Sequence, residues 1–419
     1  MNFNPSRRDS LKKIAAGAGA LALPSAALAQ AQGGSGPIRI ACIYPLTGPA
    51  SQNGIANLTG AQIAAAEFNR NGGVLGRQVE IVSRDDKNNP SEAALIGREV
   101  FGSGIKFVLG GMQTATGMAV AQQLAENNAL LIMTGSTLIS LTHEGFNPNV
   151  FRCQANTRMY QFSIAKVVME NQPNVTKWGA IFPDLEFGTT NWKYLQAGLR
   201  KFHKGGQLEF AEPQLHKFGA TDFKVQIAAL MNSGIEGLHT GMFGADYLTF
   251  MGQAKQLGLF NKIKAYIESG QGAQIGPSLG ANMPPDNLWT MGPWYYAADP
   301  NNKTNQALVK DYKALGKGDV PHDNVWNGHT AMTAMLNAIK AAGAPEPALV
   351  RVGLERTSFE AANGPFRFRR EDHQALTNLT VLRLGQKKDA PGWQVAKAVT
   401  VKAEDVVEPP SPGTAYVES

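Results

Sequence analysis

The feature that most constrains the fold is an alternation that starts at Ile38, in which short apolar runs give way to longer stretches with helical spacing and then to further apolar runs. A short run rich in Ile, Val and Leu suits a strand covered on both faces, whereas apolar residues three and four apart suit a helix with one buried face. Repetition of that pair predicts an α/β fold, a parallel sheet with helices on its faces. Strands are predicted over residues 38–44, 79–83, 107–110 and 130–133, with helices over 57–69, 91–101 and 116–127 between them. In the first helix Leu58, Ile63, Ala66 and Phe68 share a broad face, and Gly72-Gly73 closes it. A second series follows Val150-Phe151-Arg152, with strands at 178–182, 207–211, 237–240 and 264–267 and helices at 189–202, 222–231 and 247–257. Pro293-Trp294 opens a stretch rich in Asn and Pro, then come helical segments 307–315 and 326–342 and a hairpin pair at 380–384 and 393–401. One architecture appears twice, without a sequence repeat, in a chain of 419 residues. That length exceeds one comfortable core, so two lobes are expected. The final stretch, Glu408-Pro409-Pro410-Ser411-Pro412-Gly413, reads as part of a loose tail over residues 406–419 with too few apolar side chains to pack.

Ahead of the alternation, Ser6-Arg7-Arg8-Asp9-Ser10-Leu11-Lys12 precedes a nearly uncharged stretch from Ile14 to Leu28, and Ala27-Leu28-Ala29 stands before Gln30. Basic, apolar and small residues in that order predict a cleavable export signal over residues 1–29, and Gly17, Gly19 and Pro24 would break an amphipathic helix there. The adjacent arginines with Leu11 and Lys12 resemble the twin-arginine class, although Ser10 stands where Phe is usual. Export by that route or the general one would deliver the chain to the periplasm. No Cys follows to accept a lipid, and no later stretch approaches the roughly 20 apolar residues that span a bilayer, so a soluble mature product is expected. The formal charge of +6 includes four basic residues and one acid from the signal, leaving +3 on scattered positions. Short clusters such as Arg367, Arg369 and Arg370, or Lys387-Lys388, suit a solvated surface, so no nucleic-acid partner is expected. Cys42 and Cys153 sit in strand-like surroundings without metal or redox spacing. Export permits a disulfide between them, and two buried thiols in separate strands is the plainer reading.

The chain has no phosphate-binding G-x-x-x-x-G-K-[ST], no G-x-G-x-x-G after a strand and no H-E-x-x-H, and its seven His residues are dispersed. Metal chemistry, a cofactor and catalysis are therefore not expected. What is present is a set of strand ends that pass into small hydroxylated residues just before a helix: Gly110-Gly111-Met112-Gln113-Thr114-Ala115-Thr116 and Thr134-Gly135-Ser136-Thr137. At the carboxyl ends of parallel strands such loops turn backbone N–H groups, a helix N-terminus and hydroxyls toward the crevice, which suits an anion, most simply a carboxylate. Each loop alone also suits an ordinary helix cap. In the second series Phe182-Pro183-Asp184-Leu185-Glu186-Phe187-Gly188 and Gly241-Met242-Phe243-Gly244 hold the same topological position, with aromatic rings and carboxylates that suit an apolar or cationic group. Phe187 and Phe243 fit a core position equally well. Glu268, before Ser269-Gly270, is the candidate partner of a ligand ammonium, with a solvated surface glutamate as the alternative.

Taken together, Pro45-Leu46-Thr47-Gly48-Pro49, Gly60-Ala61, Asn71-Gly72-Gly73-Val74-Leu75-Gly76, Asp85-Asp86-Lys87-Asn88-Asn89-Pro90, Phe187-Gly188, Thr221-Asp222-Phe223 and Gly364-Pro365-Phe366-Arg367-Phe368 resemble, in order and spacing, the type I periplasmic binding proteins of branched-chain amino acid importers. The resemblance covers residue 38 to about residue 401. It implies two Rossmann-like lobes joined by three crossings near Arg152, Pro293-Trp294 and Asn363-Gly364: residues 37–152 with 294–362, and residues 153–293 with 363–405. It also implies that loops matching Met112, Gln113, Thr114, Ser136 and Thr137 hold a ligand carboxylate and amine, that Phe187, Phe243 and Glu268 close from the other lobe, and that Asn53 matches a pocket position. The two second-lobe aromatics, often Tyr in amino acid binders, are Phe here, which leaves the ligand's other end open to an ammonium or to an apolar acid or amide.

The function implied is that of the extracytoplasmic solute-binding component of an ABC transporter, a monomer that closes on a small carboxylate-bearing molecule and presents it to a membrane permease. A ligand sensor for a signalling partner is one rival, and a secreted hydrolase using Asp184 or Glu186 with a His is another.

Overall fold

A computed structural model describes Met1 and residues 36–418 other than Phe243, Gly270, Gln271, Pro285, Lys388, Ala390 and Pro391. Apart from Met1, the expected export segment lies outside the described residues. No described helix is long and apolar enough to cross a membrane.

The chain from Pro37 opens with β1 (Ile38–Tyr44), α1 (Ser51–Arg70), β2 (Val79–Asp85), α2 (Pro90–Gly102), β3 (Phe107–Gly110), α3 (Thr114–Ala121), β4 (Leu130–Met133) and β5 (Val150–Arg152). These strands form a parallel sheet in the order β2-β1-β3-β4-β5. Ile40, Cys42, Leu109 and Ile132 pack on one face and Ala41, Ile43, Val108 and Leu131 on the other. Burial on both faces is why these strands read as continuous apolar runs in the sequence.

A second layer series follows: α4 (Thr157–Asn171), β6 (Lys177–Pro183), α5 (Glu186–Phe202), β7 (Glu209–Phe210), β8 (Gln214–His216), α6 (Lys224–Asn232), β9 (Gly237–Thr240), α7 (Gly244–Gln256), β10 (Ala265–Glu268), α8 (Ile275–Leu279) and β11 (Leu288–Gly292). The chain then returns to the first core through Trp294 and adds α9 (Lys303–Ala314), α10 (Asn324–Ala342), α11 (Pro347–Arg356), β12 (Ser358–Ala361), β13 (Gly364–Phe368) and β14 (Ala375–Thr377). It ends with β15 (Leu379–Gln386) and β16 (Trp393–Val401), the expected hairpin, antiparallel to each other on the edge of the second sheet. That sheet runs β16-β15-β11-β10-β9-β6-β7, with β8 also on β6. The α/β expectation holds, with parallel strands flanked by helices in both lobes.

Helices α1 and α10 cover one face of the first sheet and meet backbone to backbone. A methyl group at Gly60 would lie 1.9 Å from the Val325 carbonyl oxygen, and one at Gly328 would lie 1.8 Å from that of Asn57. Only glycine allows this approach.

Three expectations need correction. The third crossing does not fall at Asn363-Gly364, because Phe366, Phe368 and Ala375 still pack on the first core and Leu376 and Leu379 are the next residues on the second. Asn363 instead fastens two crossings together: its amide donates to the carbonyls of Pro293 (2.9 Å) and Asn378 (2.6 Å), and it accepts from Thr377 (3.1 Å). The end of the chain is not loose either. Val406 joins the second core, and Glu408 is 1 % exposed, accepting from Asn156 Nδ2 at 2.5 Å and lying 3.4 Å from His143 Nε2. Charge and hydrogen bonds hold this segment, which a count of apolar residues does not register. Finally, α1 begins at Ser51 and not at the expected residue 57, which puts Asn53 in its first turn. Cys42 and Cys153 are buried free thiols, as the plainer reading had them.

Candidate functional site

The carboxyl end of β3 turns through Gly111 (φ +64°) into α3, whose first-turn N–H groups have no partner within the helix. Gln113, the exposed residue at the cap, makes no side-chain capping bond, so those donors and the positive end of the helix dipole are left to other acceptors. The end of β4 lies directly beside it. A methyl at Gly135 would sit 2.2 Å from the Met112 carbonyl oxygen, so the two loops touch along their backbones. The half-buried Thr114 hydroxyl and the buried Ser136 hydroxyl are 2.8 Å apart, which joins the loops through one hydrogen bond. Two hydroxyls and a helix N-terminus at one point suit a small anion.

The other residues expected on this side take supporting places. The Thr137 carbonyl accepts from the N–H (2.9 Å) and hydroxyl (3.1 Å) of Thr157, tying the loop to the start of α4. The Met112 sulfur packs against the first core and accepts from Asn57 Nδ2 at 3.3 Å. Asn53 is half-buried, and its carbonyl accepts from the same amide at 3.0 Å.

On the second sheet, Phe187 lies in the first turn of α5 and is 38 % exposed, which excludes the core reading of that ring. Asp184 and Glu186 beside it are exposed, and the Asp184 N–H donates to the His216 carbonyl at 3.0 Å. Phe243 lies outside the described residues. Glu268 ends β10 fully buried, so it is not a surface glutamate, and its Oε2 accepts from the Thr290 hydroxyl at 2.8 Å. On the same face the Thr240 and Tyr266 hydroxyls are 3.0 Å apart. Ser269, one residue on, turns to the opposite face, 3.0 Å from His239 Nε2. The structure therefore brings Met112, Thr114 and Ser136 together on one sheet, and sets Phe187 and Glu268 at corresponding strand ends of the other.

A family model described as periplasmic binding protein matches residues 37–389. This chain belongs to that family. The leucine-, isoleucine-, valine-, threonine- and alanine-binding protein of Pseudomonas aeruginosa is 25% identical over 358 residues, 85% of this chain and 92% of the relative. The fold matches the leucine-, isoleucine-, valine-, threonine- and alanine-binding protein of Brucella ovis in its closed conformation, with a TM-score of 0.79 at 19% identity over 90% of this chain and 98% of that one. It also matches a solute-binding protein of an R. palustris ABC transporter in complex with benzoate, with a TM-score of 0.72 at 18% identity over 91% of this chain and all, 100%, of that one.

In this periplasmic binding protein the crossings carry a buried polar network that sequence reasoning missed. Arg152, fully buried, donates from Nε to Gln374 Oε1 (2.7 Å), from Nη2 to the Thr142 hydroxyl (2.7 Å) and from Nη1 to the Leu138 carbonyl. Burial lowers its guanidinium to about 10, against the pull of Glu408 and Asp372, so it stays charged at neutral pH. Gln374 passes the contact on to the Gln154 carbonyl at 2.8 Å. Asn57 and Asn327, buried near Met112 and the first crossing, were missed as well, and each leaves its carbonyl oxygen without a partner. The available signal was their type: asparagine on the apolar face of a helix is out of pattern. Among the described residues no cluster of His, Cys, Asp or Glu is disposed to hold a metal.

Proposed function

We propose that this chain is the extracytoplasmic solute-binding component of an ABC importer, delivered to the periplasm by its amino-terminal signal, which captures a small carboxylate-bearing ligand between its lobes by hinge closure. The observation that carries the reading is the Thr114–Ser136 hydroxyl pair at the N-terminus of α3. The carboxylate docks there, receiving the two hydroxyls and the helix-end N–H groups around Gln113 and Thr114, with Met112, Thr137 and Asn53 shaping that wall. Phe187, Phe243, Asp184 and Glu268 meet the rest of the ligand as the lobes close, and the closed monomer is what a membrane permease recognises. The relatives named for leucine, isoleucine, valine, threonine and alanine support an amino acid, whose ammonium would meet the Glu268 carboxylate.

A second reading, an aromatic or aliphatic acid without an ammonium, is favoured by Phe at positions 187 and 243, which offer a ring and no hydroxyl. Thermal unfolding of the mature protein against branched-chain amino acids, benzoate and its relatives, short amides and ureas separates the two. A ligand at 100 times its Kd should add about 2.7 kcal/mol of stability. Stabilisation by none of the acids would reject the carboxylate reading.

A further inference from the structure

Behind the second-lobe side of the site runs a chain of buried polar groups. The Ser269 hydroxyl donates to Gln161 Oε1 (3.3 Å), Gln161 Nε2 donates to Asn191 Oδ1 (2.5 Å), and Asn191 Nδ2 donates to the Phe187 carbonyl (2.7 Å). Because the serine hydrogen is committed to Gln161, its oxygen accepts from His239 Nε2 at 3.0 Å, which fixes the Nε2–H tautomer. Every donor then points the same way, from His239 to Phe187, and bonds so aligned polarise one another. His239 and Gln161 are 0 % exposed, Asn191 3 % and Ser269 9 %. The indole of Trp192 stacks on the imidazole at 5.7 Å and 11°, and burial pushes that imidazole down to about 3, so it is neutral. His239 Nδ1 is left buried without a partner, as the tautomer requires of an acceptor with no donor in reach.

The chain crosses four elements, α4, α5, β9 and the end of β10, and two of its groups adjoin a candidate ligand contact. Its last acceptor is the Phe187 carbonyl, and Ser269, its second member, directly follows Glu268. Register places His239 beside Ile267 and Ala180 on the helix-α4 face of the sheet, while Glu268 and Thr240 face the other way. The Ser269 hydroxyl therefore serves the interior and leaves the adjacent Glu268 as the charged group at that strand end.

We propose that His239, Ser269, Gln161 and Asn191 form a one-way relay of positioning residues that sets the relative placement of Phe187 and Glu268, and hence which acids the cleft selects. This rests on the ligand reading above. Gln161 is fully buried between Ser269 and Asn191 and is not among the candidate ligand contacts, so Gln161→Met cuts the relay and leaves those contacts in place. By calorimetry the variant should lose about tenfold in affinity for whichever of L-leucine and benzoate the wild type binds tighter, and the ratio of the two Kd values should shift. Ser269→Ala should behave likewise, and Ser269→Thr, which keeps the hydroxyl, should restore the wild-type ratio. Unchanged Kd values in folded Gln161→Met and Ser269→Ala would overturn the relay, and so would a change in stability with no change in the ratio. If Gln161→Met does not fold, the serine pair decides. Nitrogen-15 NMR of the wild type gives a reading independent of ligand: His239 should carry its proton on Nε2, and an Nδ1–H tautomer would reject the stated direction. A wild type that binds neither acid while showing that tautomer would reject the ligand reading, and the relay's role in selection with it, but not the relay's geometry.

Discussion

The two hydroxyls that bridge the first-lobe loops are spent on each other at 2.8 Å, so a ligand carboxylate gains by replacing that bond with two charge-assisted ones. Thr114→Ala and Ser136→Ala should each weaken acid binding about tenfold, close to 1.4 kcal/mol, with little change in melting temperature. Full affinity in both purified variants would sink the carboxylate assignment. Glu268 makes the opposite kind of test. Glu268→Gln keeps an acceptor for Thr290 but removes the charge, so amino acids should lose affinity while benzoate should not; equal losses for both would reject the ammonium contact. At this scale legibility was uneven. The meeting of Thr114 and Ser136 could be read because both closely follow short apolar strands that pair in one sheet. The relay could not, since His239, Gln161 and Asn191 stand on three elements and only the fold brings them into line.

Elements were read best where one physical constraint dominated. Strands β1, β3, β4 and β9 were legible to the residue because they are buried on both faces. Strands β12, β13 and β14, at most five residues long and in part alternating in burial, and helix α11 gave too weak a period to detect. The α1–α10 contact offers a direct check. Gly60→Ala should cost about 1–3 kcal/mol through overpacking, whereas Gly102→Ala, where a methyl meets nothing within 4 Å, should be neutral or slightly stabilising; denaturant melts of the pair would show it, and equal midpoints would contradict the close approach. The final segment has its own signature in pH. Burial raises the Glu408 carboxyl, but His143, its own backbone and the Arg152 and Arg369 charges outweigh that and hold it below its usual value. A depressed folded pKa means stability present above the ordinary glutamate value, near about 4.3, and lost as pH falls through the folded one. Wild type should exceed Glu408→Gln by about 3 kcal/mol at pH 7, and the gap should shrink as pH drops below about 4. A gap that does not change with pH would show that the carboxylate charge is not what holds the segment.

Across the whole molecule, two sheets with separate cores are joined by three crossings, and Asn363 binds two of them while Arg152 and Gln374 brace the third. Such a junction bends as a unit and leaves each sheet rigid, so a tight ligand should lower the radius of gyration in solution scattering without altering circular dichroism; unchanged scattering at saturation would rule out closure. Two lobes and an α/β architecture were evident from the alternation and length. The third crossing was not, because Asn363-Gly364 looks like a boundary and is in fact a fastening, with Gly364 at φ +113°. The closing residues matter here for a practical reason. Arg158, on α4, donates to Glu418 at 2.9 Å and stacks 3.7 Å over Phe162, while Gly413 N–H donates to the His143 carbonyl at 2.6 Å. The last residues thus touch both lobes where they meet. A purification tag or fluorescent reporter fused at the carboxyl end would pull on this seam and shift the balance between open and closed forms, so handles for biosensor work belong at the amino end instead.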